Sequence, residues 1–263
     1  MGRPRRQGDR ELTGRPRGGR AAAGHRYPSA MRFRAVLFDA GETLVHPAPS
    51  FPQLFSAIVL REGHVRRPDE VVAASHVVLH RFSEAARDQE LWTTSADRSR
   101  LFWLGVYERM LEALDLPSGD GLRDTLYREF TDLGNYALFD DVTPCLDVLR
   151  GTGATLGIVS NFEAWLDDLL AHLRVRERFA VRVISGLEGI EKPDPRIYEL
   201  ALERAGVHAR DAAYVGDNPE FDVDPAAALG MTPVLIDRRE RHPDHAGLRI
   251  TDLRQLRAVL EAA

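Results

Sequence analysis

Five short apolar runs rich in β-branched residues punctuate the chain: FRAVLFD from Phe33, TLGIVS from Thr155, VRVIS from Val181, AAYVGD from Ala212 and TPVLI from Thr232. Each is too short for a buried helix and most end at a polar or glycine turn, so the pattern predicts buried strands. Helical periodicity separates the later ones, over Cys145 to Arg150, from about Ala164, over Ile197 to Ala205, near Ala226, and in a last stretch ending at Leu260. Strands alternating with helices imply right-handed crossovers and a parallel sheet, an α/β fold with a Rossmann-like core.

Residues 47–137 interrupt this alternation. Phe51, Leu54, Phe55 and Ile58 keep the 3.6-residue spacing, as do Leu101, Leu104, Leu111 and Leu114, and then Leu122, Leu126, Phe130 and Leu133. A helical insertion of about four helices is expected there. The core would then comprise residues 31–46 and 138–263. Residues 1–30 show no apolar periodicity and read as a disordered Arg- and Gly-rich arm.

Charge sharpens this division. The arm holds eight Arg against one Asp and one Glu, a charge of +6, so the rest of the chain carries −11 of the total −5. A body of that sign is a poor nucleic-acid surface, and none is expected as a partner. No run approaches the length of a membrane span or a secretory signal, and one cysteine among 263 residues rules out an internal disulfide and fits a reducing, cytoplasmic compartment. Oligomeric state is left open.

In an open parallel sheet, ligands bind beyond the carboxyl ends of the strands. Asp39, Ser160 and Asp217 stand at three such ends. Lys192, the only lysine in a chain that otherwise uses Arg, lies in a loop between the last two. Singly, each has an ordinary reading as a cap, a turn or a surface charge. Together they form a complementary set. Carboxylates of Asp39, Asp217 and Asp222 gathered at one edge would repel one another unless an ammonium and a divalent cation compensated them, and hard oxygen ligands point to Mg²⁺.

The segments RAVLFDAGETL, LGIVSN, GIEKPDPRIY and YVGDNPEFD resemble, in order and spacing, the four motifs of the haloacid dehalogenase-like hydrolase superfamily. The helical insertion is similar to that superfamily's α-helical C1 cap. The resemblance implies that Asp39 is a nucleophile forming an aspartyl intermediate, that Ser160 holds an oxygen of the transferred group, and that Lys192 steadies both. It further implies Mg²⁺ held by Asp39, Asp217 and the carbonyl of Gly41, with Asp222 orienting Lys192 or a metal-bound water. Asn161 is expected to touch substrate or the cap. The expected substrate is a small phosphorylated metabolite.

The departure is Gly41, which stands where phosphatases of the superfamily usually carry a second Asp. Glycine has no proton to give a leaving group. Phosphonoacetaldehyde hydrolases also have a small residue there but need a cap lysine, and residues 47–137 contain none. Haloacid dehalogenases expel halide, which needs no proton, yet they lack the metal and the Gly216-Asp217 pair. The chain is most similar to the branch of haloacid dehalogenase-like hydrolase domain-containing protein 3. A 2-haloacid dehalogenase stays the runner-up, on the strength of the first motif, and a weakly active or non-catalytic binding protein is the further alternative. Glu42 is a weak candidate for a substitute acid, because successive residues leaving a strand point apart. Trp92, Phe102 and Trp103 are expected to pack between helices, with Arg98 and Arg100 solvated, rather than line a pocket; His76 and His80 to lie on the surface; and Cys145 to fill the core.

Overall fold

The structure is a computed structural model describing residues 31–88 and 90–263, so the N-terminal arm lies outside the described residues. Its centre is a six-stranded parallel sheet made of β1 (Ala35–Phe38), β4 (Thr155–Ser160), β5 (Val181–Ile184), β6 (Ala212–Gly216), β7 (Thr232–Ile236) and β8 (Arg249–Ile250). The spatial order is β5-β4-β1-β6-β7-β8. All five apolar runs are strands, as expected. The two-residue β8 was not foreseen, since a pair of residues carries no periodicity.

Alternation along β1 sorts the two faces. Val36 and Phe38 join one core with Leu146 and Leu149 of α6 (Val142–Arg150), Leu166 and Leu170 of α7 (Leu166–His172), and Leu256 and Leu260 of α11 (Leu256–Ala262). Ala35 and Leu37 join the other with Ile197, Tyr198 and Ala201 of α9 (Pro195–Ala205) and Ala226 of α10 (Asp224–Ala228). A four-residue helix, α8 (Ser185–Glu188), follows β5 directly.

A third core belongs to five helices, one more than the periodicity suggested: α1 (Phe51–Arg61), α2 (Pro68–Ala74), α3 (His76–Arg87), α4 (Ala96–Ala113) and α5 (Asp120–Phe130). Leu101 does not join its stripe. It is 71% exposed, and Phe102, Val106 and Met110 face the core instead, because the aromatic side chain at the adjacent position buries more apolar surface. No helix among the described residues is long and apolar enough to cross a membrane.

The chain enters and leaves the helices through an antiparallel ribbon of β2 (Val45–Pro47) and β3 (Tyr136–Leu138). Behind it, Asp141 is a buried anchor. Its carboxylate accepts two hydrogen bonds from the Arg238 guanidinium (2.8 and 3.0 Å) and one from the Leu253 amide (2.7 Å), while Arg238 also reaches the Thr43 carbonyl. Burial by itself would push the Asp141 carboxyl up, but these donors outweigh it and hold it below the usual carboxylate range. The stability it confers is present above the ordinary carboxyl pKa and is lost as pH falls through the lowered one. Asp141→Ala leaves the half-buried Arg238 without its counter-charge and is expected to cost about 3 kcal/mol, read as a drop in the urea midpoint.

Candidate active site

Three adjacent strands, β4, β1 and β6, present Ser160, Asp39 and Asp217 at one sheet edge, and the amide of Asp39 is pinned there by the Val215 carbonyl (2.8 Å). Lys192 comes from the loop between α8 and α9. It is buried, and its Nζ donates to Asp39 Oδ1 (2.7 Å) and to Asp222 Oδ1 (2.5 Å), with the Tyr214 hydroxyl at 3.3 Å. Ser160 Oγ donates to the same Asp39 Oδ1 (2.9 Å). Asp39, Ser160, Lys192, Asp217 and Asp222, expected together from the sequence, do meet.

Asp222 is held by more than the lysine. Its Oδ2 accepts from the Asn218 amide (3.0 Å), and the carboxylate packs so tightly on the main chain that a Cβ at Gly216 would come within 2.3 Å of its Cγ. Glycine before Asp217 is therefore needed to admit Asp222. The turn Pro219–Val223 is a single π-helical turn, a form that lets Asp222 face back towards β6.

Charge is not balanced by the chain alone. The three N–H groups of Lys192 face Asp39, Asp222 and Tyr214, and none of these contacts goes to Asp217. Burial, then Asp222, Asp39 and Glu42, push the Asp217 carboxyl well above its ordinary range. Burial also raises Asp222, with Lys192 opposing. Burial would lower Lys192, but Asp222 and Asp39 outweigh it, so the ammonium stays charged. Carboxylate oxygens of Asp39, Asp217 and Asp222 lie within 4.8 Å of one another. Three acids against one ammonium, all with hard oxygen donors, fit a divalent cation.

Asn161 lies beside the lysine: its Nδ2 donates to the Lys192 carbonyl (2.8 Å) and its Oδ1 accepts from the Lys192 amide (2.6 Å), so the carboxamide clamps the lysine's main chain. Gly41 occupies a tight turn in which the Ala40 carbonyl accepts from Leu44 and Val45. The Glu42 carboxylate is bound by Arg239 (2.6 Å), which argues against it as the substitute acid. Beside Gly41 stands the Phe162 ring, edge-on to Trp165.

Sequence reasoning missed Tyr214, whose hydroxyl lies 2.8 Å from the Val159 carbonyl and 3.1 Å from Asp222. The available signal was one polar-tipped ring in an otherwise small, apolar strand. It also missed Glu163, buried against Tyr127 of α5, where burial raises its pKa. Of the other candidates, Arg98 and Phe102 border a surface cavity beside the helices, against expectation, and the rest are structural. Trp92 stacks on Phe102 at 4.4 Å within the helical core, Arg100 pairs with Asp124, and His80 sits exposed against Glu84. Burial pushes the Cys145 thiol up to about 12, which makes it unreactive.

Residues 33–230 match the family of haloacid dehalogenase-like hydrolases. The chain belongs to that family. Haloacid dehalogenase-like hydrolase domain-containing protein 3 of Danio rerio is 27% identical over 81% of this chain and 88% of its own length. A phosphoserine phosphatase of Thermus thermophilus is 34% identical over 59% of this chain and 65% of its own. Among solved structures, a 2-haloacid dehalogenase from Pseudomonas syringae superposes with a TM-score of 0.56 at 26% identity, covering 88% of this chain and 99% of the other. These hydrolases share the fold, so the reaction must be argued from the side chains at the sheet edge.

Proposed function

We propose that the chain is a Mg²⁺-dependent phosphatase acting on a small phosphorylated metabolite through an aspartyl-phosphate intermediate on Asp39. The observation that carries this reading is the trio of carboxylates with Asp217 left without a hydrogen bond from the ammonium. Halide displacement brings no further anionic group beside the nucleophile that a cation would have to neutralise, whereas a phosphoryl group brings negative charge that must be neutralised.

Asp39, Asp217 and the Gly41 carbonyl would hold the cation. When bound, it neutralises carboxylate charge and draws a phosphoryl oxygen towards the nucleophile. Everything else falls to the chain. Ser160 and Lys192 both engage Oδ1 of Asp39, which leaves its second oxygen as the attacking atom. The same ammonium and hydroxyl are placed to meet the non-bridging phosphoryl oxygens as charge builds in line with Asp39. Asp222 holds Lys192 in that position and Asn161 fixes the main chain behind it. With Gly41 in place of an acid, no group protonates the leaving oxygen. Acyl and aryl phosphates, whose leaving groups are stable as anions, are therefore favoured over alkyl phosphates.

Hydrolysis of an aryl phosphate is expected with Mg²⁺ and should be abolished by EDTA. Release of halide from 2-chloropropionate that survives EDTA would instead establish the dehalogenase reaction. Cation affinity is expected to weaken as pH falls through the raised pKa of Asp217, because the carboxyl must lose its proton to bind. In the parent chain, Mg²⁺ at a hundred times its dissociation constant should stabilise the fold by about 2.7 kcal/mol. Asp217→Asn should remove that gain in a thermal melt without lowering the metal-free melting temperature.

A further inference from the structure

Next to the catalytic lysine, a second buried network joins the helical insertion to the sheet. Glu191 is 4% exposed and accepts three hydrogen bonds from the segment between α3 and α4. The Trp92 amide donates to Oε1 (3.1 Å), while the Thr93 amide (2.8 Å) and hydroxyl (2.5 Å) donate to Oε2. The chain of donors continues. Ser185 Oγ donates to Thr93 Oγ1 (2.5 Å) and itself accepts from the Phe162 amide (2.9 Å). A directed line of hydrogen bonds thus runs from the main chain two residues after Ser160, through the insertion, to the residue before Lys192.

Both termini of this line matter for the site. Lys192 has its own amide and carbonyl clamped by Asn161, so residues 191 and 192 are gripped on one side by the sheet and on the other by the insertion. Trp92, the other residue of the grip, is stacked in the helical core. A buried carboxylate bonded only to neutral donors is expensive to desolvate, and an apolar side chain would hold two layers together at lower cost. What the carboxylate adds is direction: three donors fix where its main chain lies.

We propose that Glu191 is a positioning residue through which docking of the Trp92–Thr93 segment sets the main chain from which Lys192 reaches Asp39. The helices then do more than cover the site: the ammonium is correctly placed only when they are seated. The catalytic consequence rests on the phosphatase reading above; the structural coupling does not.

Because Lys192 is the only lysine, an amine-reactive ester followed by peptide mapping reports on that side chain apart from the N-terminal amine. In Glu191→Ala and in the milder Thr93→Val, labelling of Lys192 is expected to rise about tenfold, what losing one hydrogen bond to a charged group is worth. On an aryl phosphate, kcat should fall about tenfold to a hundredfold with KM little changed, as for a misplaced catalytic group, and Thr93→Ser, which keeps the hydroxyl donor to Glu191, should recover much of what Thr93→Val loses. Unchanged labelling in both variants, each folded by circular dichroism, overturns the proposal. So does a fall in kcat in Thr93→Val that Thr93→Ser does not lessen. Raised labelling in a chain with no turnover on any phosphate would support the coupling and refute the phosphatase reading instead.

Discussion

Asp39→Asn is expected to lower Mg²⁺-dependent turnover of an aryl phosphate by about 10⁴-fold or more, since it removes the attacking oxygen and one metal ligand together. The same substitution should not unfold the protein. The amide oxygen of asparagine can still accept from Ser160 Oγ and Lys192 Nζ, as Asp39 Oδ1 does now. Lys192 keeps its closest partner, Asp222. One of three mutually repelling carboxylates becomes neutral, so the metal-free variant should melt at or above the parent temperature. Loss of activity without loss of stability is the signature of a site that stores unfavourable charge for its reaction. Equal turnover in the two proteins would remove Asp39 from the chemistry. An acid-stable phosphoryl adduct, trapped on the parent chain and absent from the variant, would locate the intermediate.

Much of this site was legible because the architecture concentrates it. A parallel sheet must place Asp39, Ser160 and Asp217 at one edge once their strands are found, and short apolar runs ending at polar residues made those strands easy to find. Lys192 stood out because the chain otherwise uses Arg, and a guanidinium fork could not replace a compact ammonium in a pocket this closed. The parts that were missed share a different cause. Tyr214 reads as strand filler until its hydroxyl is seen between Val159 and Asp222. Glu191 looks like a surface acid, and its partners lie nearly a hundred positions earlier. Asn161 is legible beside the site, but its clamp on the Lys192 main chain is not, because which way a carboxamide turns is set by neighbours that the sequence does not order in space. The ribbon of β2 and β3 has three residues a side and leaves no periodic trace. Local pattern reveals elements, whereas pairings between distant loops are decided only when the layers pack.

Gly41→Asp should have the opposite sign to Asp39→Asn, raising turnover of alkyl phosphates by about 10²–10⁴ through the general acid the chain lacks. The geometry admits the change. The nearest atom to a Cβ at residue 41 is Cε2 of Phe162 at 4.0 Å, an ordinary contact, so no backbone shift is needed to seat a carboxyl there. Its surroundings would also tune it. A further acid beside Asp39, Asp217 and Asp222 is disfavoured as an anion, which raises its pKa and keeps it protonated when the leaving oxygen needs a proton. The gain should depend on the leaving group, large where the alkoxide is a poor one and small in the first step for aryl phosphates. For aryl phosphates the parent chain is expected to show a burst of phenol followed by slow turnover, because hydrolysis of the aspartyl phosphate also lacks a base to activate water. In Gly41→Asp the burst should merge into a faster steady rate. Acceleration of alkyl and aryl substrates by the same factor would mean that the carboxyl acts by some route other than proton transfer. No acceleration of either would place the rate limit in the movement of the helices rather than in the chemistry at Asp39.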